Sequence, residues 1–394
     1  MTVDRFQRVI NLSRPLAELF LASNKKLYLV GGVVRDLFLE NRSVEESTAD
    51  AIDLDDPKYD VDFTTDALPA EIEAIVAGRV EAMWLQGKRF GTIGVAMGGY
   101  KFEITTHRAE VYHSDSRKPK VTYSTDIHED LSRRDFTINA MALLLNGEHP
   151  EIVDPFGGLE DLANRRLITP LSPEVSFSED PLRMLRAARF IAKLSMEPSQ
   201  EIVDAIKSMH DRLSIVSAER IRDEFDKLLM TSTPSPGLEF LVDTGLAHEF
   251  IPELPALALE QDPIHRHKDV LAHTIAVVDK TSPDRILRLA ALFHDVGKPK
   301  TKQITPQGVT FYHHDVVGAR IARERMRVLK YSAQDIADVS ELVFLHLRFH
   351  TYQAGWTDSA VRRYVRDAGV LLDRLNELTL CDSTTRNQSK VLAL

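Results

Sequence analysis

The sequence predicts an α+β protein, with a small mixed-sheet head followed by an all-helical neck and a further helical domain. Three observations carry that expectation. Short strand patterns crowd into residues 27–105 without the spacing of a regular βαβ array. Helical periodicity begins at Asp126 and dominates from Ser178 onward. At 394 residues the chain is too long for one comfortable core, so roughly two to four domains are expected.

Residues 4–23 read as an amphipathic helix that leads into strand Leu27–Val30 and helix Val33–Glu40. Residues 41–58 are polar, acidic and without period, which marks an insertion or surface loop. A strand over Asp60–Thr64 and a helix over Pro69–Ala77 follow, the helix announced by Thr65-Asp-Ala-Leu-Pro69. Residues 79–83, 92–97 and 100–105 read as short strands, the last two joined at Gly98-Gly99. From Asp126 to Ala140 the pattern turns helical, and helices are expected over Asp180–Lys193, Ser199–His210 and Ala218–Leu229. Thr231-Ser-Thr-Pro-Ser-Pro-Gly237 is the clearest helix stop, and a second helical domain begins near His265. The domains are therefore drawn as 1–155 (head, with 41–58 inserted), 156–235 (neck), 236–264 (linker helix and loop) and 265–394.

Composition narrows the compartment. Hydrophobic residues make up 43% and charged residues 27%, ordinary values for a globular chain. The first residues lack a basic region followed by an apolar run, and no stretch is long and apolar enough to span a bilayer. The single cysteine, Cys381, excludes intrachain disulfides and a thiolate metal cluster. A cytoplasmic protein is expected. The net charge of −10 argues against coating of nucleic acid by global charge, but basic patches exist at Arg133-Arg134, Arg183/Arg186/Arg189, Arg320–Lys330 and Arg362-Arg363.

Chemistry concentrates first in the head. In Leu27-Tyr-Leu-Val-Gly-Gly-Val-Val-Arg35-Asp36 an apolar run meets Gly31 and Gly32 and then a helix. Two glycines there permit a tight turn and turn backbone N–H groups toward an anion. Asp60 and Asp62 lie two apart in a strand pattern, so both carboxylates share a face while Val61 points to the core. Paired carboxylates beside a phosphate cradle suit divalent-metal phosphoryl transfer. An acidic strand end beside a glycine turn is the plain alternative for an isolated pair. Glu103, in the hairpin of the same sheet, is a third candidate carboxylate, catalytic or simply solvated.

Two downstream stretches add nucleotide chemistry. Arg133-Arg134-Asp135-Phe-Thr-Ile-Asn139 packs cations, a carboxylate and an amide around an apolar core. Guanidinium forks suit triphosphate oxygens, and an ordinary ion-paired helix start is the competing account. In Glu179-Asp180-Pro-Leu-Arg183-Met-Leu-Arg186-Ala-Ala-Arg189 the polar residues recur every three positions. A carboxylate and a guanidinium side by side can read a base edge, although a helical salt-bridge ladder has the same pattern.

Taken in order, Leu29-Val-Gly-Gly-Val-Val-Arg-Asp36, Asp60-x-Asp62, Arg133–Asn139, Asp154–Asp161, Glu179-Asp-x-x-Arg183 and Ser217-Ala-Glu-Arg-Ile221 resemble the motifs of bacterial class II tRNA nucleotidyltransferases and poly(A) polymerases. The resemblance covers nearly the whole chain and is most similar to CCA-adding enzymes with a following HD domain. It implies that Asp60 and Asp62 hold Mg²⁺ and that Asp180 and Arg183 pair with the Watson–Crick edge of CTP or ATP. Gly31, Gly32, Arg35, Arg134, Asp135, Asn139, Arg186 and Arg189 would line the nucleotide pocket. The partner implied is the tRNA 3′ acceptor end. Poly(A) polymerase or partial CC- or A-addition uses the same motifs. The spacing from Gly31-Gly32 to Asp60 exceeds that common in the family, and the added segment is acidic.

A second constellation lies in the C-terminal region. His273 sits in a helical pattern, His294-Asp295 follows an apolar run, and His313-His314, His346 and Asp382 come later. Imidazole and carboxylate are sound ligands for a divalent transition metal or Mg²⁺, while each histidine alone reads as structural. The His294-Asp295 pair with partners on both sides resembles the HD phosphohydrolase fold, which implies His273, His294, Asp295 and Asp382 as ligands, with His314 and His346 as additional histidines. A phosphohydrolase activity and a purely RNA-positioning domain both fit that resemblance. Proteins of this type often continue into a further helical region, so the chain reads as a shortened form.

Overall fold

The computed structural model describes residues 2–39, 61–111, 120–147, 149–259, 269–306, 308–349 and 357–383. The chain divides into two compact units, Met1–Glu179 with Glu197–Ile202 and Asp180–Met196 with Val203–Leu394.

The first unit opens with α1 (Thr2–Ala22), β1 (Leu27–Val30) and α2 (Gly32–Leu39), followed by β2 (Val61–Thr65) and α3 (Pro69–Val76). Strands β3 (Ala82–Trp84), β4 (Thr92–Met97) and β5 (Tyr100–Thr106) come next, then the ribbon β6 (Arg108–Val111) and β7 (Lys120–Tyr123) and helix α4 (Ile127–Ser132). Strands β8 (Ala142–Leu144) and β9 (Glu151–Val153), helix α5 (Gly158–Ala163), strand β10 (Arg166–Leu167) and helix α6 (Pro173–Glu179) close this part. One seven-stranded sheet runs β3-β4-β5-β2-β1-β8-β9, mixed because β2 and β5 pair in parallel and the other pairs are antiparallel.

The order of strands explains the burial. β1 is central and every residue of Leu27–Val30 is buried, as an apolar run covered on both faces should be. On one face Tyr28, Val30, Ala140 and Ala142 pack with Ile127 and Leu131 of α4. In β2 only Asp62 is exposed, between buried Val61 and Phe63. Phe63 meets Phe102 of β5 edge-on, with centroids 5.6 Å apart.

The α+β class expected from the sequence is the architecture observed. The reading of a helical regime from Asp126 needs correction, because α4 ends at Ser132 and Ala142–Leu144 and Glu151–Val153 return to the sheet. These strands are three residues each, too short to display a period of 2. The strand expected at 79–83 lies at Ala82–Trp84. The acidic 41–58 stretch and Asp60 lie outside the described residues.

Helices dominate the remainder: α7 (Leu182–Leu194), α8 (Gln200–Met209), α9 (Ala218–Leu229), α10 (Ser235–Asp243) and α11 (Leu246–Phe250), with β11 (Glu197–Pro198) pairing with β10. Helices α12 (Val270–Lys280), α13 (Arg285–Phe293) and α14 (Lys298–Thr301) follow, then the hairpin β12 (Gln303–Thr305) and β13 (Gly308–Thr310). The last helices are α15 (His314–Val328), α16 (Ala333–Leu345), α17 (Asp358–Ala368) and α18 (Leu372–Asp382). Ile286–Phe293 of α13 is buried on all sides, the mark of a central helix. That includes Arg288, whose guanidinium donates to the carbonyls of Leu229, Thr231 and Thr281. Helix α7 starts after Pro181 and not at Asp180, since proline has no N–H to give a helix interior. Among the described residues, no helix is long and apolar enough to cross a membrane.

Candidate functional site

The head site forms where β1 ends. Gly31 has φ +82°, a left-handed conformation open to glycine, and it turns the chain from β1 into α2. Two polar groups border the turn: a Cβ on Gly31 would stand in ordinary contact, 3.5 Å from Arg134 Nη1 and 3.7 Å from Asp62 Oδ2. Glycine turn, carboxylate and guanidinium therefore converge. A cleft of about 250 Å³ opens beside them, lined by Asp62, Thr64, Thr105, Arg108, Asp130, Arg133 and Arg134 together with Val30 and Phe63.

Register places Glu103 directly beside Asp62 on the neighbouring parallel strand, and both are exposed. Thr64 and Thr105 continue that face. Glu103 is outside the lining of the cleft.

Arg35, Asp135 and Asn139 are each no more than 7% exposed and are tied to one another. Arg35 donates from Nη1 to Asn139 Oδ1 at 2.7 Å and from Nε to Asp36 Oδ1 at 2.7 Å. Asn139 Nδ2 donates to Asp135 Oδ1 at 3.0 Å, and the same oxygen accepts the Phe136 N–H at 2.9 Å. This buried network braces the turn that carries Arg134. Asp154 and Asp161 brace it from the other side. Asp154 accepts from the Gly158 and Leu159 N–H groups at 2.7 and 2.9 Å, and Asp161 accepts from Thr137 Oγ1 at 2.7 Å. A Cβ on Gly158 would lie 2.2 Å from Thr137 O, so only glycine fits there.

Sequence reasoning missed Arg108, Asp130, Thr64 and Thr105. Arg108 Nη2 donates to Thr92 Oγ1 at 2.9 Å, and Asp130 accepts from the Arg108 N–H at 3.2 Å and Arg134 Nη2 at 3.3 Å. Beneath the cleft, burial lowers the pKa of His107, keeping it neutral, and its Nδ1 lies 2.8 Å from Thr64 Oγ1.

On α7, Arg183, Arg186 and Arg189 are half-buried while the residues between them are buried, so this stripe is the helix's outward edge. Asp180 precedes the helix. Its Oδ1 accepts the Leu182 N–H at 3.1 Å and its Oδ2 accepts from Arg220 Nη2 at 2.7 Å. Arg189 pairs with Glu224, also on α9, and stacks over Phe190 with 4.4 Å to the ring centroid. Both α9 partners went unassigned in the sequence, since their register against α7 is tertiary.

The second cluster gathers helix ends. His273 comes from α12, His294 and Asp295 from the end of α13, His314 from the start of α15, His346 from the end of α16 and Asp382 from the end of α18. His294, His314 and His346 each hold Nδ1 against a carbonyl three residues back, Ala291, Phe311 and Val343, at 2.7, 2.8 and 2.6 Å. A carbonyl only accepts, so Nδ1 carries a proton in each ring and Nε2 is the atom turned inward. All three Nε2 atoms are buried without a hydrogen-bond partner among the described residues. His294 Nε2 is 3.3 Å from Asp295 Oδ2 and His314 Nε2 is 3.4 Å from Asp295 Oδ1, neither aligned as a hydrogen bond.

Two ligand groups result, His273/His294/Asp295 and Asp295/His314/His346, each with its donor atoms within 4.8 Å of one another. Asp382 joins them, its Oδ1 2.9 Å from His273 Nε2 and 3.5 Å from His294 Nε2. Lys298 Nζ is 2.5 Å from Asp295 Oδ2. Orphaned, tautomer-fixed imidazoles around carboxylates fit a divalent metal. A Cβ on Gly297 would lie 2.1 Å from His314 O, so this glycine lets α15 approach the turn after Asp295.

Comparison with known proteins agrees with this layout. Three family models match: "Poly A polymerase head domain" over residues 27–168, "Probable RNA and SrmB- binding site of polymerase A" over 195–257, and "HD domain" over 266–387. A CCA-adding enzyme of Lactobacillus delbrueckii subsp. bulgaricus is 37% identical over 273 residues, 69% of this chain and 62% of that protein. One from Lactobacillus helveticus is 37% identical over 248 residues, 63% of this chain and 57% of that protein. The chain thus spans less than two thirds of the length of these curated relatives. Among solved structures, the Bacillus stearothermophilus CCA-adding enzyme in complex with CTP superposes with TM-score 0.66 at 23% identity, covering 98% of this chain and 81% of that one. A tRNA nucleotidyltransferase with a primer tRNA and an incoming ATP analogue gives TM-score 0.62 at 22% identity, covering 96% of each chain.

Proposed function

Since this chain belongs to the bacterial class II tRNA nucleotidyltransferase and poly(A) polymerase family, we propose that it adds CMP and AMP from CTP and ATP to the tRNA 3′ end without a template. Asp62 and Arg134 lining one cleft beside the Gly31 turn is the observation that carries this reading. The RNA 3′-hydroxyl attacks the α-phosphate, and pyrophosphate leaves. Asp62, with Asp60, would hold Mg²⁺, which when bound would activate the hydroxyl and neutralise triphosphate charge. Arg134 and the N–H groups at the Gly31-Gly32 turn take phosphate oxygens. Arg35, Asp135 and Asn139 act from behind by fixing that turn. Glu103 adds a carboxylate beside Asp62 on the neighbouring strand. Asp180 and Arg183 present an acceptor and donors to the base edge, with Arg186 and Arg189 farther along the same helix edge.

The domains are assigned as head 1–155, neck 156–235, linker 236–264 and HD domain 265–394, in a cytoplasmic protein. A second activity, metal-dependent phosphohydrolysis, is favoured by the three orphaned Nε2 atoms around Asp295. His273, His294, Asp295, His314, His346 and Asp382 would hold a divalent transition metal or Mg²⁺ there, which when bound would activate water.

Incubating the chain with tRNA transcripts lacking CCA, or ending in C or CC, and with labelled CTP and ATP tests the main reading. Growth to CCA and arrest there is expected, with loss of incorporation in D62A. Unlimited A-addition would make it a poly(A) polymerase, arrest at CC a partial enzyme, and unchanged incorporation by D62A would overturn the site.

A further inference from the structure

Helix α15 carries four arginines between its start and its end, and they are used in two ways. Arg325 is committed to the fold. Its Nε lies 3.1 and 2.9 Å from the two carboxylate oxygens of Glu253, with Nη2 3.0 Å from Oε1. Arg320, Arg323 and Arg327 are exposed and make no ion pair among the described residues. Their spacing of i, i+3 and i+7 puts them on one helical face, spread over about 10 Å of helix axis. Glu324 borders that face and bridges none of them. Just before the helix, Tyr312 is 68% exposed.

We propose that this outer face of α15 binds the phosphate backbone of single-stranded RNA, with Arg320, Arg323 and Arg327 on successive phosphates and Tyr312 stacked on a base. Three unneutralised guanidiniums on a chain of net charge −10 are a local demand for anions. Their linear spread suits a repeating polyanion better than a single phosphate. The exposed ring at one end selects a strand with unstacked bases, since a duplex offers none. His314, a member of the metal cluster, is the first residue of the same helix, so a strand on this face ends near that cluster. The proposal rests on RNA being the substrate, as proposed above, but it names a surface that transfer chemistry does not require.

The test is equilibrium binding of a fluorescent single-stranded RNA of about a dozen nucleotides to the full chain, without nucleoside triphosphate, across a salt series. The triple variant R320Q/R323Q/R327Q should reduce the slope of log K against log salt by about 2, and Y312L should weaken binding at least about fivefold. Melting curves matching the wild type establish that the variants fold. An unchanged slope and affinity in the triple variant overturns the proposal. So does binding of phosphatidylserine vesicles that the triple variant loses while its RNA slope stays the same. If CMP transfer fails but the slope shifts, this surface stands and the transferase reading falls. If transfer proceeds and the slope is unchanged, only this surface falls.

Discussion

Asp130 and Arg134, four residues apart, meet at 3.3 Å between Oδ2 and Nη2 at the wall of the head cleft. The other oxygen, Oδ1, accepts the Arg108 N–H at 3.2 Å. One carboxylate thus aims a guanidinium and anchors the strand that delivers a second. In D130N the Oδ1 contact survives, but an NH₂ group is turned toward Arg134. Losing a charge-assisted hydrogen bond should raise the KM for CTP about tenfold while kcat falls less. Steady-state kinetics on a tRNA ending in C would measure this. An unchanged KM, or a large fall in melting temperature, would assign Asp130 to folding alone.

Asp180 divides its oxygens similarly, with Oδ1 on the Leu182 N–H and Oδ2 2.7 Å from Arg220 Nη2. Arg220 thereby fixes the rotamer of Asp180, the carboxylate proposed to read the base. R220A should therefore relax discrimination of CTP against UTP by about tenfold, at little cost to stability because the pair is partly exposed. Misincorporation measured as a ratio of kcat/KM values decides it. A ratio equal to wild type would remove Arg220 from base selection.

Much of this was legible in sequence where chemistry is local. The Gly31-Gly32 turn, the Asp62 face and the Arg183/Arg186/Arg189 stripe follow from backbone conformation and periodicity within one segment. What escaped is set by tertiary register. Nothing local tells that Arg220 and Glu224 of α9 lie against α7, or that Asp130 reaches Arg108. The three-residue strands β8 and β9 exist because β1 offers them an edge. Arg35, Asp135 and Asn139 read as pocket residues from their motif, yet their side chains pair with one another beneath the surface.

Arg288 ties the ends of two helices to α13. It is 2% exposed and donates to Leu229 O at the end of α9, to Thr231 O just past it and, at 3.3 Å, to Thr281 O after α12. Those carbonyls belong to helix ends, which have no partners within their own helices. R288M keeps the apolar stem but leaves the carbonyls buried and unsatisfied, which should cost about 3 kcal/mol. Urea unfolding followed by circular dichroism would register the loss, and a change below about 1 kcal/mol would contradict it.

The metal cluster makes a signed pH prediction. Burial disfavours charge on His294, but the Asp295 and Asp382 carboxylates outweigh it and push its pKa up to about 10. Burial pushes His346 down to about 4, with charge on His294 acting the same way. Near neutral pH the metal-free protein thus holds a proton on His294 and none on His346. A cation that takes the His294 Nε2 lone pair must displace that proton, whereas His346 has none to lose. Mn²⁺ affinity should then rise about tenfold per pH unit across neutral pH, with one proton released per ion bound. Calorimetry in buffers of different ionisation enthalpy counts the proton. H346A should weaken binding without changing that count, and H294A should abolish the release. Bound metal should raise the melting temperature and a chelator should reverse the rise. Affinity that stays flat with pH would mean that His294 is neutral before the metal arrives and that the carboxylates do not govern it.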